Sequence, residues 1–76
     1  MKDRILIDPK ICHGKPVIKG TRVLVSNILS ALASGESFED IVRDYPNISK
    51  DDIYAALSFG SQLSDFKSFS YDVKAS

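Results

Sequence analysis

Thiol and imidazole groups are scarce in this chain of 76 residues, which has one cysteine, Cys12, and one histidine, His13. A single cysteine excludes an intramolecular disulfide and suits a protein of a reducing cytosol. Two potential ligands are too few for a zinc site within one chain. On an extended segment their side chains would point to opposite sides, so they would not form a nucleophile and its base. We expect His13 to be a turn residue that precedes Gly14.

Long apolar runs are also absent. No stretch reaches the roughly 18 apolar residues of a transmembrane helix, so the sequence predicts no membrane span. We expect no signal peptide either, because charged residues return after the apolar triplet Ile5–Ile7. The length allows one domain. A domain of this size buries only roughly 60% of its unfolded surface, so it gains much from a partner subunit.

The chain lacks the residue clusters on which most enzymes depend. No glycine-rich loop has the spacing that binds phosphate in nucleotide hydrolases. The acidic pairs Glu39–Asp40 and Asp51–Asp52 are neighbours in sequence, so their carboxylates diverge around a helix and do not converge on a metal ion. We therefore expect no enzymatic activity, no cofactor and no metal site.

Charge is present in both signs but is distributed unevenly along the chain, although the net charge is zero. Residues 1–24 contain six basic and two acidic side chains, whereas residues 35–52 contain six acidic and two basic ones. Such asymmetry is typical of a protein whose basic side binds nucleic acid or another anionic surface. An alternative is that the basic part of one subunit binds the acidic part of another.

The first third of the chain reads as a short β arm. Three apolar segments predict strands, which are Ile5–Ile7, Pro16–Ile18 and, as a possible third, Arg22–Leu24. Gly20 lies in the short segment between the last two, so we expect a small hairpin there.

The hydrophobic period then changes to that of helices. A first helix of about ten residues is predicted by apolar residues at i, i+3, i+4 and i+7, namely Val25, Ile28, Leu29 and Leu32. Gly35 ends this helix in a left-handed conformation. Ser37 caps a second helix of about eight residues, which ends at Tyr45 because a proline follows. Its expected buried residues are Phe38, Ile41 and Val42.

Ser49 caps a third helix of about twelve residues, with Asp51 and Asp52 near the positive end of its dipole. Its expected inward stripe is Ile53, Ala56, Leu57 and Gly60. The predicted fold class is therefore α+β, mainly α: a short N-terminal β arm or hairpin followed by a three-helix bundle of the helix-turn-helix type. We assign residues 1–60 to this domain and residues 61–76 to a serine-rich C-terminal tail.

The segment His13–Val23, with its Gly-Lys-Pro and Gly-Thr-Arg elements, closely resembles the bacterial family catalogued as domain of unknown function 433. Further matches follow in the same order at Ser26, Gly35–Ser37, Ile41, Asp44–Pro46 and Asp52–Leu57. The resemblance covers about residues 5 to 60. Leu24 departs from the pattern, because family members often have proline at that position.

The resemblance implies a VapB-like antitoxin of a type II toxin–antitoxin pair, with a homeodomain-like or winged-helix-like fold. Such a protein is cytoplasmic, neutralises a PIN-like ribonuclease toxin and binds its own promoter DNA. An alternative function is that of a homodimeric protein-interaction module with no DNA binding. In both cases we expect a homodimer, because a two- or three-stranded arm leaves open strand edges that a second subunit would pair.

The third helix is a poor candidate for reading DNA, because its first turn has two aspartates and its outward face has one cation, Lys50. The expected DNA-binding residues lie instead on the arm and are Lys15, Lys19, Thr21 and Arg22. Arg22 suits a bidentate contact with guanine or phosphate, and Thr21 suits a phosphate contact. An alternative for Arg22 is a salt bridge that ties the hairpin to an acidic residue of the helices.

The tail is rich in aromatic residues for its length, and aromatic side chains are favoured anchors at protein interfaces. The expected partner-binding residues are Phe66, Phe69, Tyr71 and Val73. Alternation at the last three suits a β-strand added to a partner's sheet, whereas Leu63, Phe66 and Ser70 fit one face of a helix equally well. A third possibility is that the tail packs as a fourth helix on its own dimer.

Overall fold

The structure, a computed structural model, describes the backbone of residues 4–75 and the side chains of residues 4–63. Two short strands precede three helices. The strands are β1 (Ile5–Leu6) and β2 (Val17–Ile18), and the helices are α1 (Val25–Ala33), α2 (Phe38–Asp44) and α3 (Lys50–Ala75). This order confirms the predicted fold class, α+β and mainly α, with the β arm at the N-terminal end.

Strand β2 lies in the middle of the arm. On one side it pairs antiparallel with β1, with Ile5 opposite Ile18 and Leu6 opposite Val17. On the other side the predicted hairpin is present. The Ile18 N–H donates to the Val23 carbonyl at 2.9 Å, and the Val25 N–H donates to the Pro16 carbonyl at 3.0 Å. Only a single bridge between Val17 and Leu24 represents the possible third strand.

The ends of α1 and α2 follow the predicted local chemistry. Gly35 has a φ of 96°, a left-handed conformation that follows the last turn of α1. Ser37 and Asp40 form a capping box at the start of α2, in which each side chain binds the other's backbone N–H. Helix α2 ends at Asp44, with Tyr45 outside the helical region before Pro46.

The core lies where all three helices meet β2. Its buried residues are Ile18, Val23, Val25, Ile28, Ile41, Ile48, Ile53 and Ala56. Phe38 and Val42 of α2 are partly buried and pack against this cluster, as do Leu29 and Leu32 of α1. The expected buried faces of the first two helices are therefore confirmed.

Helix α3 differs from its prediction in two respects. It contains 26 residues, more than twice the expected length, and includes the segment that we assigned to a tail. The expected inward position of Leu57 is also wrong, since this residue is 39% exposed. The reason is that α3 turns Asp52 and Ala55 inward as well as Ile53 and Ala56, which places Leu57 at the margin of the buried stripe.

Candidate functional site

Basic side chains lie on the loops at both ends of β2. Lys10 and Lys15 are in the loop that leads into the strand, and Lys19 and Arg22 are in the turn that leaves it. All four residues are exposed. We call them the basic loop surface. It contains three of the four residues that the sequence indicated for DNA binding, together with Lys10, which sequence reasoning did not select.

The loop before Lys15 has a left-handed turn at Cys12–Gly14, with φ angles of 50°, 58° and 79°. His13 is thus a turn residue as expected, whereas the extended segment assumed for the two neighbours is wrong. A left-handed non-glycine residue costs roughly 1–2 kcal/mol. Two hydrogen bonds hold the turn, from the Gly14 N–H to the Ile11 carbonyl at 3.0 Å and from the Lys15 N–H to the Cys12 carbonyl at 3.1 Å.

Thr21 organises the turn on the other side of β2. Its hydroxyl donates to the Ile18 carbonyl at 2.7 Å and accepts from the Val23 N–H at 3.0 Å. The hydroxyl proton is therefore used within the turn, and a phosphate would have to displace the Ile18 carbonyl to receive it. Thr21 thus has a structural role in the turn, and its phosphate contact stays a prediction.

The salt bridge considered for Arg22 is made by another arginine. Arg4, next to β1, donates from Nη1 to Asp52 Oδ1 at 3.0 Å, and its Nη2 lies 3.6 Å from Asp51 Oδ2. Arg22 has no ion-pair partner among the side chains that the structure describes. Among the described residues, the arm is thus tied to α3 through β1 and not through the hairpin.

Asp52 is the buried charged residue at the start of α3, only 8% exposed. Besides Arg4, its carboxylate accepts from the Ser49 N–H at 2.9 Å, and its own N–H donates to the Ser49 hydroxyl at 3.4 Å. The sequence carried a signal for this second capping box, because Ser49 and Asp52 have the same spacing as Ser37 and Asp40. It carried no signal for Arg4 as the third partner.

The remaining described cations are paired on the helices. Lys50 Nζ donates to Glu39 Oε2 at 3.0 Å, and this hydrogen bond is the main cause that lowers the pKa of Glu39. Arg43 Nη2 donates to Asp40 Oδ1 at 2.8 Å. The pKa of Asp40 is lowered chiefly by the Ser37 backbone N–H, then by the Ser37 hydroxyl and Arg43. The first turn of α3 therefore offers no net positive charge.

A second candidate surface begins where α3 leaves the core. A Cβ at Gly60 would lie 2.9 Å from Leu29 Cδ1, so α1 and α3 approach each other closely at this point. Three residues later, on the same side of the helix, Leu63 is 57% exposed. The expected partner-binding residues Phe66, Phe69, Tyr71 and Val73 have helical backbone within α3, but their side chains lie outside the described residues.

The described side chains show no other preformed polar site in the core. Every buried side-chain nitrogen or oxygen among them has a hydrogen-bond partner. Within the same part of the chain, no three His, Cys, Asp or Glu residues gather around a point where a metal ion would fit. No helix in the described backbone has the length and hydropathy to cross a bilayer.

Other proteins resemble this chain over both the arm and the helices. The family described as "Protein of unknown function (DUF433)" matches residues 5–60. The chain belongs to the DUF433 family. A DUF433 member protein from Anabaena variabilis ATCC 29413, solved by crystallography, is 26% identical with a TM-score of 0.76. The similarity covers 82% of this chain but only 61% of that one, and no curated protein matches this chain in sequence. DUF433 membership confirms the family that His13–Val23 indicated, and the antitoxin role stays a prediction.

Proposed function

We propose that this protein is an antitoxin-like member of a type II toxin–antitoxin pair, which neutralises a PIN-like ribonuclease toxin and binds its own promoter DNA in the cytoplasm. We assign it no catalytic activity and no cofactor. The observation that supports toxin binding is the length of α3, because its 26 residues extend well beyond the contact between Gly60 and Leu29.

The length of α3 matters because helices gain most of their stability from packing. At 1.5 Å per residue, α3 is about 39 Å long. The part after Gly60 is rich in serine, a mediocre helix former, and isolated helices of about 15 residues are marginal in water. Exposed Leu63 continues the stripe of α3 that faces α1. A partner that covers this stripe would stabilise the helix and bury the aromatic residues that follow.

We expect a PIN-like ribonuclease to be encoded beside this gene, and the test is its neutralisation. In cells that express the toxin, the full chain should restore growth, and a chain without residues 65–76 should not. The shortened chain should keep its melting temperature within about 5 °C, which corresponds to about 1 kcal/mol for a domain of this size. Arg43→Ala, a change of an exposed cation on α2, serves as the matched control and should neutralise as well as the wild type.

Two results would contradict this assignment. If removal of residues 65–76 unfolds the protein or dissociates a dimer, the end of α3 is structural. If the shortened chain neutralises the toxin fully, toxin binding lies elsewhere on the molecule.

The alternative is a homodimeric protein-interaction module without DNA binding. The exposed apolar residues outside the end of α3 favour it, since Ile7 is 56% and Tyr54 is 51% exposed. Absence of a gel-mobility shift with upstream DNA at low salt, together with a stable dimer, would support this alternative.

A further inference from the structure

The basic loop surface differs from every other described cationic site in its lack of carboxylate partners. Arg4, Arg43 and Lys50 each lie within 4.0 Å of an acidic oxygen. None of the four cations of the basic loop surface has an ion pair among the described side chains, and all four are exposed. The described cations thus form two groups. One group is paired with carboxylates and stabilises the fold, and the other is the basic loop surface, which has no such partners.

The unpaired cations are close enough to act together. Lys15 and Lys19 are four residues apart across β2, so their Cα atoms are at most about 14 Å apart. Arg22 follows Lys19 by three residues, which limits that distance to about 11 Å. These spans are similar to the roughly 12 Å width of the DNA major groove. The three residues therefore lie within a span that one duplex can cover.

The backbone that carries these cations is held in place by bonds of its own. The Thr21 hydroxyl bridges Ile18 and Val23, and the Lys19 N–H donates to the Arg4 carbonyl at 2.7 Å. Asp8 accepts from the Lys10 N–H at 2.9 Å, so its carboxylate organises the start of the other loop. Binding would cost less ordering of the backbone than it would on a mobile loop.

A helix-turn-helix protein usually contacts bases with the start of its recognition helix. Here that position is the start of α3, whose charge is opposite to that of the basic loop surface. The start of α3 presents Asp51, whose side chain is 68% exposed, and the charge of Lys50 is offset by Glu39 at 3.0 Å. Asp52 is occupied by Arg4 and Ser49. Phosphates near this end of α3 would meet a carboxylate without a compensating free cation.

We propose that this protein binds duplex DNA through the basic loop surface, by contacts to the phosphate backbone, and not through the start of α3. This inference deepens the promoter-binding part of the proposed function and rests on it. The cations would contact phosphate oxygens, which are the same at every base pair. Affinity should therefore depend on salt more than on base sequence.

The experiment measures binding of the purified full chain to fluorescent duplexes by anisotropy at several salt concentrations. One duplex carries the upstream region, and the other has the same bases in scrambled order. If a dimer neutralises four to six phosphates, the log–log salt slope should be about −4 to −5. Each of Lys15→Ala, Lys19→Ala and Arg22→Ala should weaken binding to both duplexes by a similar factor and make the slope shallower by about one phosphate contact per protomer.

Lys50→Ala is the matched control, because it removes an exposed lysine that already has a partner, and it should change the affinity by less than about twofold. Circular dichroism of each variant should match the wild type, since all four side chains are exposed.

The interpretation is overturned if the wild type binds neither duplex at 50 mM salt, if Lys50→Ala weakens binding more than the loop variants do, or if single-stranded RNA is bound in preference to both duplexes. The growth assay for toxin neutralisation does not use these variants. Failure of the DNA-binding proposal is therefore distinguishable from failure of the toxin-binding proposal.

Discussion

Asp52 shows how one residue can link local capping to the tertiary fold. Its carboxylate accepts hydrogen bonds from the Ser49 backbone, within the same helix start, and from Arg4 at the beginning of β1. Its neighbour Asp51 has the same charge and lies at the same helix end, but its side chain is 68% exposed and 3.6 Å from Arg4. The two aspartates therefore allow a buried and an exposed carboxylate to be compared at one place.

We expect Asp52→Ala to lower the free energy of unfolding by about 1–3 kcal/mol, because the Ser49 N–H and the Arg4 guanidinium both lose their acceptor. Asp51→Ala should lower it by less than about 1 kcal/mol, since exposed ion pairs and helix-end charges contribute little. Urea denaturation of both variants and the wild type measures the difference. Equal losses in the two variants would show that the inner carboxylate has no special role.

The sequence did not reveal which arginine of the arm, Arg22 or Arg4, makes the salt bridge to the helices. Both are arginines beside short strands, but a salt bridge to the helices was considered for Arg22 and not for Arg4. The decision depends on β1 packing beside the start of α3, a contact between residues 48 positions apart. Nothing in local composition reports such a separation.

At the scale of elements, α2 is stabilised at its start by the reciprocal bonds of Ser37 and Asp40. Hydrogen bonds from Ser37 and Arg43 lower the pKa of Asp40 in the folded protein. A carboxyl group with a lower pKa in the folded state stabilises the protein when it is ionised in both states. That contribution is complete above the pKa of the carboxyl group in the unfolded chain, about 4, and is lost as pH falls through the lower folded value.

We therefore expect Asp40→Asn to flatten the loss of thermal stability between pH 5 and pH 3, relative to the wild type. Thermal unfolding followed by circular dichroism across this pH range provides the measurement. The double variant with Ser37→Ala should be less destabilised than the sum of the two single variants, because each residue is the other's partner. A wild-type pH dependence in Asp40→Asn would exclude this role for the carboxyl group.

Local signals in the sequence predicted most element boundaries. Ser37, Gly35 and the residue before Pro46 each fix backbone geometry within a few positions, so the ends of α1 and α2 follow from them. The end of α3 has no such signal, because no glycine or proline follows Gly60. Leu57 was misplaced since its exposure depends on how far α3 rotates toward β1 and α2, which periodicity alone does not determine.

The candidate site was predicted in part for the same reason. Lys15, Lys19 and Arg22 were recognisable from their charge and their place beside turns, and their exposure agrees with that selection. The engaged hydroxyl of Thr21 was not predictable, because its bond to the Ile18 carbonyl requires the particular path of the turn. The sequence thus indicated which residues carry charge, and the fold shows which of the described ones have ion-pair partners.

At the scale of the whole molecule, the described side chains without an ion pair include both cations and carboxylates. The basic loop surface holds the cations. Glu36 and Asp44 hold no ion pair among the described side chains, and both line a groove of about 410 Å³ between α1 and α2. Asn27, Ser30, Ser34 and Tyr45 also contribute to this groove. The outer edge of β1, away from β2, would accept a strand of a second subunit.

We expect a homodimer, because the core of this 76-residue chain is small and the strands of two residues each are too short to be stable alone. Sedimentation equilibrium at micromolar concentration should give twice the chain mass of 8.4 kDa. A dimer held by strand pairing should persist in 0.5 M salt, because salt screens charges and leaves backbone hydrogen bonds in place. A single species at the monomer mass across the concentration range would refute the prediction.

The ion pair between Arg4 and Asp52 affects the order in which the fold forms during synthesis on the ribosome. The arginine leaves the ribosome first, and its partner follows 48 residues later. At synthesis rates of about 5–20 residues per second, the first strand waits roughly 2–10 s for the helix end that anchors it. During that interval the emerging chain can pair β1 with β2 and form α1 and α2 by short-range contacts, but it cannot tie β1 to α3. We expect the contact between β1 and α3 to form after the shorter-range contacts of the arm and of α1 with α2.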